Sequence, residues 1–159
     1  MTLYTAGKTY RELNEGDSAV HSKTISESDV YSFAGITGDF NPLHVDSVFA
    51  QKMGLAGRIA HAGIAPAMVA QVIGMKLPGV GSMVTNMTVS HHAPLYIGDT
   101  IYAHVQVTQK LPNRHVRLTI TILNQDNELI CSGEVEVVPP KASFKKRVAA
   151  IDLQEIVTE

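Results

Sequence analysis

The stretch from Ala60 to Met75 is apolar on nearly every side, and the chain beyond it changes period. A helix that is apolar all round has to be enclosed by protein rather than laid on a surface. Pro66 lacks an N–H and fits only within a first helical turn, so the helix is expected to begin near Gly63 or Ile64. Lys76-Leu77-Pro78-Gly79 ends it. From residue 82 onward the chain alternates in twos. Ile101, Ala103, Val105 and Val107 interleave with Tyr102, His104, Gln106 and Thr108, and Val116, Leu118, Ile120 and Ile122 interleave with Arg117, Thr119 and Thr121. Turns at Gly98-Asp99, Pro112-Asn113 and Gln125-Asp126-Asn127 separate the runs, and Leu129 to Val138 closes the series. These are signals of an antiparallel meander with one polar face. A sheet with one apolar face needs a partner layer, and an enclosed helix supplies it. The fold class is therefore α+β, an antiparallel sheet wrapped around a long buried helix.

Little else competes for the architecture. A chain of 159 residues that is 45% hydrophobic and 18% charged is expected to be one globular domain, here residues 1–138 with a tail over 139–159. The tail opens on Pro139-Pro140, carries Lys145-Lys146-Arg147, and has weak helical spacing at Phe144, Val148 and Ile151, which leaves a docked helix and a loose end both open. A net charge of −2 gives no electrostatic reason to expect nucleic acid as a partner. Cys131 is alone, so no intrachain disulfide forms, and a reducing compartment is allowed. Met1 to Leu13 has no apolar core of a secretory signal, and Ala62 to Ala70 falls far short of a membrane span of ~20 residues. The expectation is a cytoplasmic protein without a membrane.

Upstream of the helix, residues 1–16 are irregular and Ala19 to Thr24 reads as a short strand. Ser26 and Asp29 form a capping-box pattern, and Val30, Phe33, Ala34 and Thr37 recur at helical spacing, so a helix is expected over 27–37. It delivers the chain into Gly38-Asp39-Phe40-Asn41-Pro42-Leu43-His44-Val45-Asp46. Proline disfavours α geometry at the residue before it, so this segment is expected to be a tight loop that cannot be regular helix. A carboxylate and an imidazole on one such loop can face one small volume, as acid–base chemistry on a water molecule requires. The plainer alternative is an Asx-Pro turn with solvated side chains. Asp46 or Ser47 then caps a short helix through Met53, ended by Gly54.

The Asp39–His44 loop, followed by Gly57-Arg58-Ile59-Ala60-His61, Leu77-Pro78-Gly79 and Gly98-Asp99-Thr100, resembles the MaoC-like (R)-specific enoyl-CoA hydratases and dehydratases over roughly residues 18–138. The resemblance implies a hot-dog fold, a homodimer with sites near the subunit interface, and an acyl-CoA or acyl-carrier-protein substrate. It implies no metal and no redox cofactor. Asp39 and His44 would hold and activate the water, with Asp39 the main base and His44 its orienting partner. Asn41 would brace the loop, or be simply an Asx-turn residue. Backbone N–H groups at Ala62 and Gly63, at the start of the buried helix, would face the thioester oxygen as it becomes enolate-like.

Two positions depart from the family pattern, which usually has Gly directly after His61 and often Ser six residues after it. Here Ala62 and Ala67 stand instead. Ala67 would then touch substrate without a hydroxyl, and Arg58 could meet a carrier phosphate or remain a loop arginine. His61 reads as a packing or hydrogen-bonding residue rather than an acid. His91 and His92, adjacent on a strand, would point to opposite faces, which with no Cys cluster argues against a metal pair. His21, His104 and His115 read as strand-face residues. Met68, Met75, Met83 and Met87 read as core or acyl-tunnel lining. Two rivals remain open: a dehydratase for branched or carboxylated acyl-CoA or a carrier-protein substrate, and a non-catalytic acyl-CoA-binding subunit.

Overall fold

The computed structural model describes residues 4–151. The elements in order are β1 (Ser18–Thr24), α1 (Glu27–Thr37), α2 (Pro42–Val45), α3 (Ser47–Lys52), α4 (Ile64–Met75), β2 (Met83–His91), β3 (Thr100–Lys110), β4 (Val116–Leu123), β5 (Leu129–Val138) and α5 (Ala142–Ala149). The five strands make one sheet in the order β1-β3-β4-β5-β2. Every neighbouring pair is antiparallel. The sheet packs against α4 in the hot-dog arrangement. The meander holds for β3, β4 and β5, but β2 lies outside it. β2 pairs with β5, so the link from β2 to β3 crosses the sheet and β2 becomes an edge strand.

The period-two residues fall where alternation puts them. Ile101, Ala103, Val105 and Val107 on β3, and Val116, Leu118, Ile120 and Ile122 on β4, are all buried. They face Ile64, Ala65, Val69, Val72 and Ile73 of α4, which are buried too. Each buried Val or Ile contributes about 1.5–3 kcal/mol. That outweighs the ~1 kcal/mol by which Gly74 disfavours a helix interior. Packing, not propensity, keeps α4 helical.

α4 is not enclosed on every side, however. Ala67, Ala70 and Met75 are exposed, so the helix shows one small-residue face outward. The same correction applies to two methionines. Met75 and Met83 lie on the surface, whereas Met68 and Met87 pack partly buried against the core.

The N-terminal half positions the loop. Ser26 caps α1, with both arms of the capping box made to Asp29. Burial pulls the Asp29 carboxyl upward, but hydrogen bonds from the Ser26 N–H and hydroxyl and the ion pair with Lys23 outweigh it and hold it below its ordinary value. Gly38 ends α1 in the left-handed region, at φ 76°, which glycine enters without steric cost. α5 forms over the tail from Ala142. It is tied by the Lys145–Glu12 ion pair and by Phe144, whose ring lies so close to Gly81 that a Cβ there would clash. The rest of the tail, 152–159, lies outside the described residues. No helix among the described residues is long and apolar enough to cross a membrane.

Candidate active site

The expectation that 39–46 holds no helix needs correcting. Asn41 is extended, at φ −53° and ψ 129°, as the following proline requires, but Pro42 then starts a single helical turn, α2. Proline suits this first position because its missing N–H would have had no partner. Asn41 caps the turn, its Oδ1 accepting from the Leu43 N–H at 3.1 Å. Its side chain therefore serves the Asx-turn role and, through the cap, braces the segment that carries His44.

Three hydrogen bonds fix Asp39, although its side chain is 52% exposed. Its N–H donates to Thr37 Oγ1 at 3.3 Å, its Oδ1 accepts from the Asn41 N–H at 3.1 Å, and its carbonyl accepts from His61 Nε2 at 2.8 Å. The second carboxylate oxygen, Oδ2, faces His44 Nε2 at 3.8 Å. His44 is buried, and its Nδ1 lies 2.8 Å from the Ile59 carbonyl. A carbonyl only accepts, so Nδ1 carries the proton and, in the neutral ring, Nε2 presents a bare lone pair. Two acceptors thus face one another beyond hydrogen-bonding distance. A water about 2.8 Å from each would lie about 2 Å off the line joining them and could donate one proton to each.

This gap opens into a cavity of about 440 Å³ that Asp39, His44 and His61 line together with Ile59, Ala60, Ala62, Ala65, His91, His92, Ala93, Pro94, Leu95 and Ile130. The start of α4 reaches it. Neither Ala62 nor Gly63 makes a hydrogen bond through its N–H among the described residues, and Ala62 lines the cavity. Gly63 sits outside it, behind Phe33, whose ring would come within 2.6 Å of a Cβ at this position. Of the two residues expected to face the thioester oxygen, Ala62 meets the cavity and Gly63 does not.

Two other expected contacts fall elsewhere. Ala67 is exposed one turn farther along α4 and does not line the cavity. Arg58 pairs with Glu27, donates to the Tyr31 hydroxyl at 3.0 Å and lies over the Tyr31 ring, pinning its loop to α1. It borders a neighbouring cleft with Tyr96 and Ile97 rather than the cavity of Asp39 and His44.

Three cavity histidines were not assigned to the site from sequence. His91 and His92 both line it, because β2 ends at His91 and the strand alternation stops there. His91 Nδ1 lies 3.2 Å from Cys131 Sγ, and His92 Nε2 lies 2.8 Å from Ser132 Oγ. Burial pushes the Cys131 thiol up to about 11, so it remains protonated beside His91. His61 is buried, with its ring centroid 3.9 Å from that of His44. Asp39, His44 and His61 offer one ligand atom each within 4.8 Å of one another. The two imidazole planes are tilted by only 32° and stacked, so an ion about 2.0–2.1 Å from a nitrogen of each could not lie in both planes.

Residues 11–127 match the family described as MaoC like domain. The chain is 37% identical over 131 residues to the (R)-specific enoyl-CoA hydratase of Rhodospirillum rubrum, covering 82% of this chain and 91% of that protein. It is 34% identical to the 3-hydroxybutyryl-CoA dehydratase of Methylorubrum extorquens, covering 83% and 84%. Among solved structures it superposes on the R-hydratase PhaJ1 from Pseudomonas aeruginosa with a TM-score of 0.82 at 32% identity, covering 85% of this chain and 87% of that one. The match spans the loop of Asp39 and His44, the start of α4 and strands β1 to β4, and on it the chain belongs to the MaoC-like family.

Proposed function

We propose that this protein catalyses the reversible addition of water to a trans-2-enoyl-CoA, giving the (R)-3-hydroxyacyl-CoA. The observation that carries the reading is the 3.8 Å gap between Asp39 Oδ2 and His44 Nε2, two acceptors facing one cavity in a chain of this family. The bound water donates to both and turns its own lone pair toward C3. Its oxygen bonds to C3 as one proton passes to Asp39, with His44 holding the water in line. The electron pair of the double bond moves through C2 onto the thioester oxygen, where the Ala62 N–H and the positive end of α4 stabilise it. C2 then takes the proton back from the pair, and the product leaves with one water added. Dehydration runs the same steps in reverse. No metal or redox cofactor enters this scheme, and the CoA is part of the substrate.

The same reading takes the protein as a cytoplasmic homodimer. β2 is an edge strand carrying exposed Met83 and Val84, and α4 exposes the face of Ala67 and Ala70. A second copy against these surfaces would bury both. Sedimentation of the purified protein tests this, and a monomer at assay concentration refutes it.

The activity test follows the absorbance of the enoyl thioester with crotonyl-CoA, then chiral analysis of the product. Hydration to the (R) product is expected. If crotonyl-CoA and a panel of longer, branched and carrier-bound enoyl thioesters are all inert while acyl-CoA still binds, the protein is a binding subunit and the hydratase reading fails.

A further inference from the structure

His61 stands apart from the acid–base pair in sequence, yet it reaches the pair from outside their loop. Asp39 is more than half exposed at its side chain, so burial does not set its position. Of its three hydrogen bonds, those to Thr37 and Asn41 come from the same short stretch of chain. The shortest, 2.8 Å from His61 Nε2 to the Asp39 carbonyl, is the one that ties the loop to the start of α4. A carbonyl accepts only, so Nε2 carries the His61 proton and Nδ1 is bare in the neutral ring. That Nδ1 is buried and has no hydrogen-bond partner. A buried acceptor without a partner is a standing cost, and an apolar side chain beside Phe33 would avoid it. What a histidine supplies here and an apolar residue cannot is the Nε2 proton.

Its ring also covers one face of the His44 imidazole, at 3.9 Å between centroids, while Phe33 lies 5.1 Å away. One side chain therefore touches both members of the pair. It grips Asp39 by the backbone and stacks on His44.

Resting on the hydratase reading, we infer that His61 is a positioning residue, whose Nε2–H sets the distance between Asp39 Oδ2 and His44 Nε2 at the width of a bridging water. It neither gives nor takes a proton in the reaction. Its own Nδ1 is sealed from the water, and its Nε2 proton is held by a carbonyl that cannot release one in exchange.

Two substitutions separate the donor from the stack. His61→Gln keeps an N–H donor and loses the ring, whereas His61→Phe keeps a ring and loses the donor. Steady-state hydration of crotonyl-CoA is measured for each, beside thermal melting of each protein. His61→Phe is expected to lower kcat by ~100-fold, as for a misplacement of about 1 Å, with KM changed by less than ~3-fold. His61→Gln is expected to recover most of that kcat. If His61→Phe does not fold, His61→Leu takes its place. Nitrogen-15 NMR of the native histidines reads the tautomers, with His61 expected as Nε2–H and His44 as Nδ1–H. An active donor-free variant, equal losses in the Gln and Phe variants, a loss confined to KM, or the opposite His61 tautomer each overturns the positioning role while leaving the hydratase reading intact. A native protein inert toward every thioester overturns the hydratase reading itself, and any part for His61 in turnover with it.

Discussion

Replacing Asp39 with Asn keeps the outline of the side chain and reverses the chemistry of one atom. The Oδ1 that accepts from the Asn41 N–H at 3.1 Å can remain an oxygen, so the turn that carries His44 keeps its bond. The atom facing His44 Nε2 at 3.8 Å becomes an amide nitrogen, which donates where the carboxylate accepted. Two losses come together. The base is gone, and the new N–H is aimed at the bare Nε2 lone pair, closing the gap in which the water would sit. Removing a general base lowers turnover by ~10²–10⁴-fold, or about 3–5 kcal/mol in the barrier. Stability should change by less than about 0.5 kcal/mol, since the group that changes is exposed and the retained bond is local. The check is kcat and KM for loss of enoyl thioester absorbance, read beside thermal melts of both proteins. His44→Gln belongs in the same series. Because the two groups would hold a single water, the double variant should lose little more than the worse single one. An Asp39→Asn protein that retains turnover within ~10-fold of native, or single losses that simply add, would sink the bridging-water argument.

Packing around the site and the cap of α1 set four further outcomes. Gly63→Ala drives a Cβ to 2.6 Å from the Phe33 ring, which itself lies against His61. We expect a loss of about 1–3 kcal/mol in denaturant melts and a fall in kcat, both relieved by Phe33→Leu; no relief would mean the clash is absorbed elsewhere. Cys131, buried and with its thiol pushed up to about 11, should resist iodoacetamide at pH 8 in the folded protein and react once denatured. Rapid alkylation of the native state would contradict its burial. Ser26→Ala removes one arm of the α1 cap and should cost about 1 kcal/mol at neutral pH. Asp29 sits below its ordinary carboxylate value in the folded protein, so its stabilisation is present above the unfolded value and fades as pH falls through the folded one. The gap in stability between native and Asp29→Asn proteins should therefore narrow on acidification below about pH 4. A gap that holds constant to low pH would remove the cap from the account.

The reach of the sequence reading tracks how local each interaction is. The α1 boundaries, its capping box, the Asp46 cap of α3 and the start of α4 behind Pro66 all rest on neighbours within four residues, and all stand in the structure. The strands were legible for a similar reason, since alternation is written along a single run. Which strand lies beside which was not. β2 crosses to the far edge because it pairs with β5, a choice made between runs some 40 residues apart. The α2 turn was missed for a narrower reason. Proline forbids helix to the residue before it, and the same proline is a favoured first residue of the helix it opens.

The site divides along the same line. Asp39 and His44 could be paired from sequence because five residues and a proline hold them close, and family resemblance named them. Arg58 and Ala67 could not be placed, because their partners lie elsewhere. A salt bridge to Glu27 claims the first, and the outward face of α4 carries the second. His61 is the sharper case. Its contacts with Asp39 and His44 span 22 and 17 positions and depend on α4 docking its first residues behind the loop. Nothing in the string Ile59-Ala60-His61-Ala62 announces which ring nitrogen will find a carbonyl and which will be buried alone. A short motif can carry the chemistry of this family, while the distance at which that chemistry operates is set by the helix packed behind it.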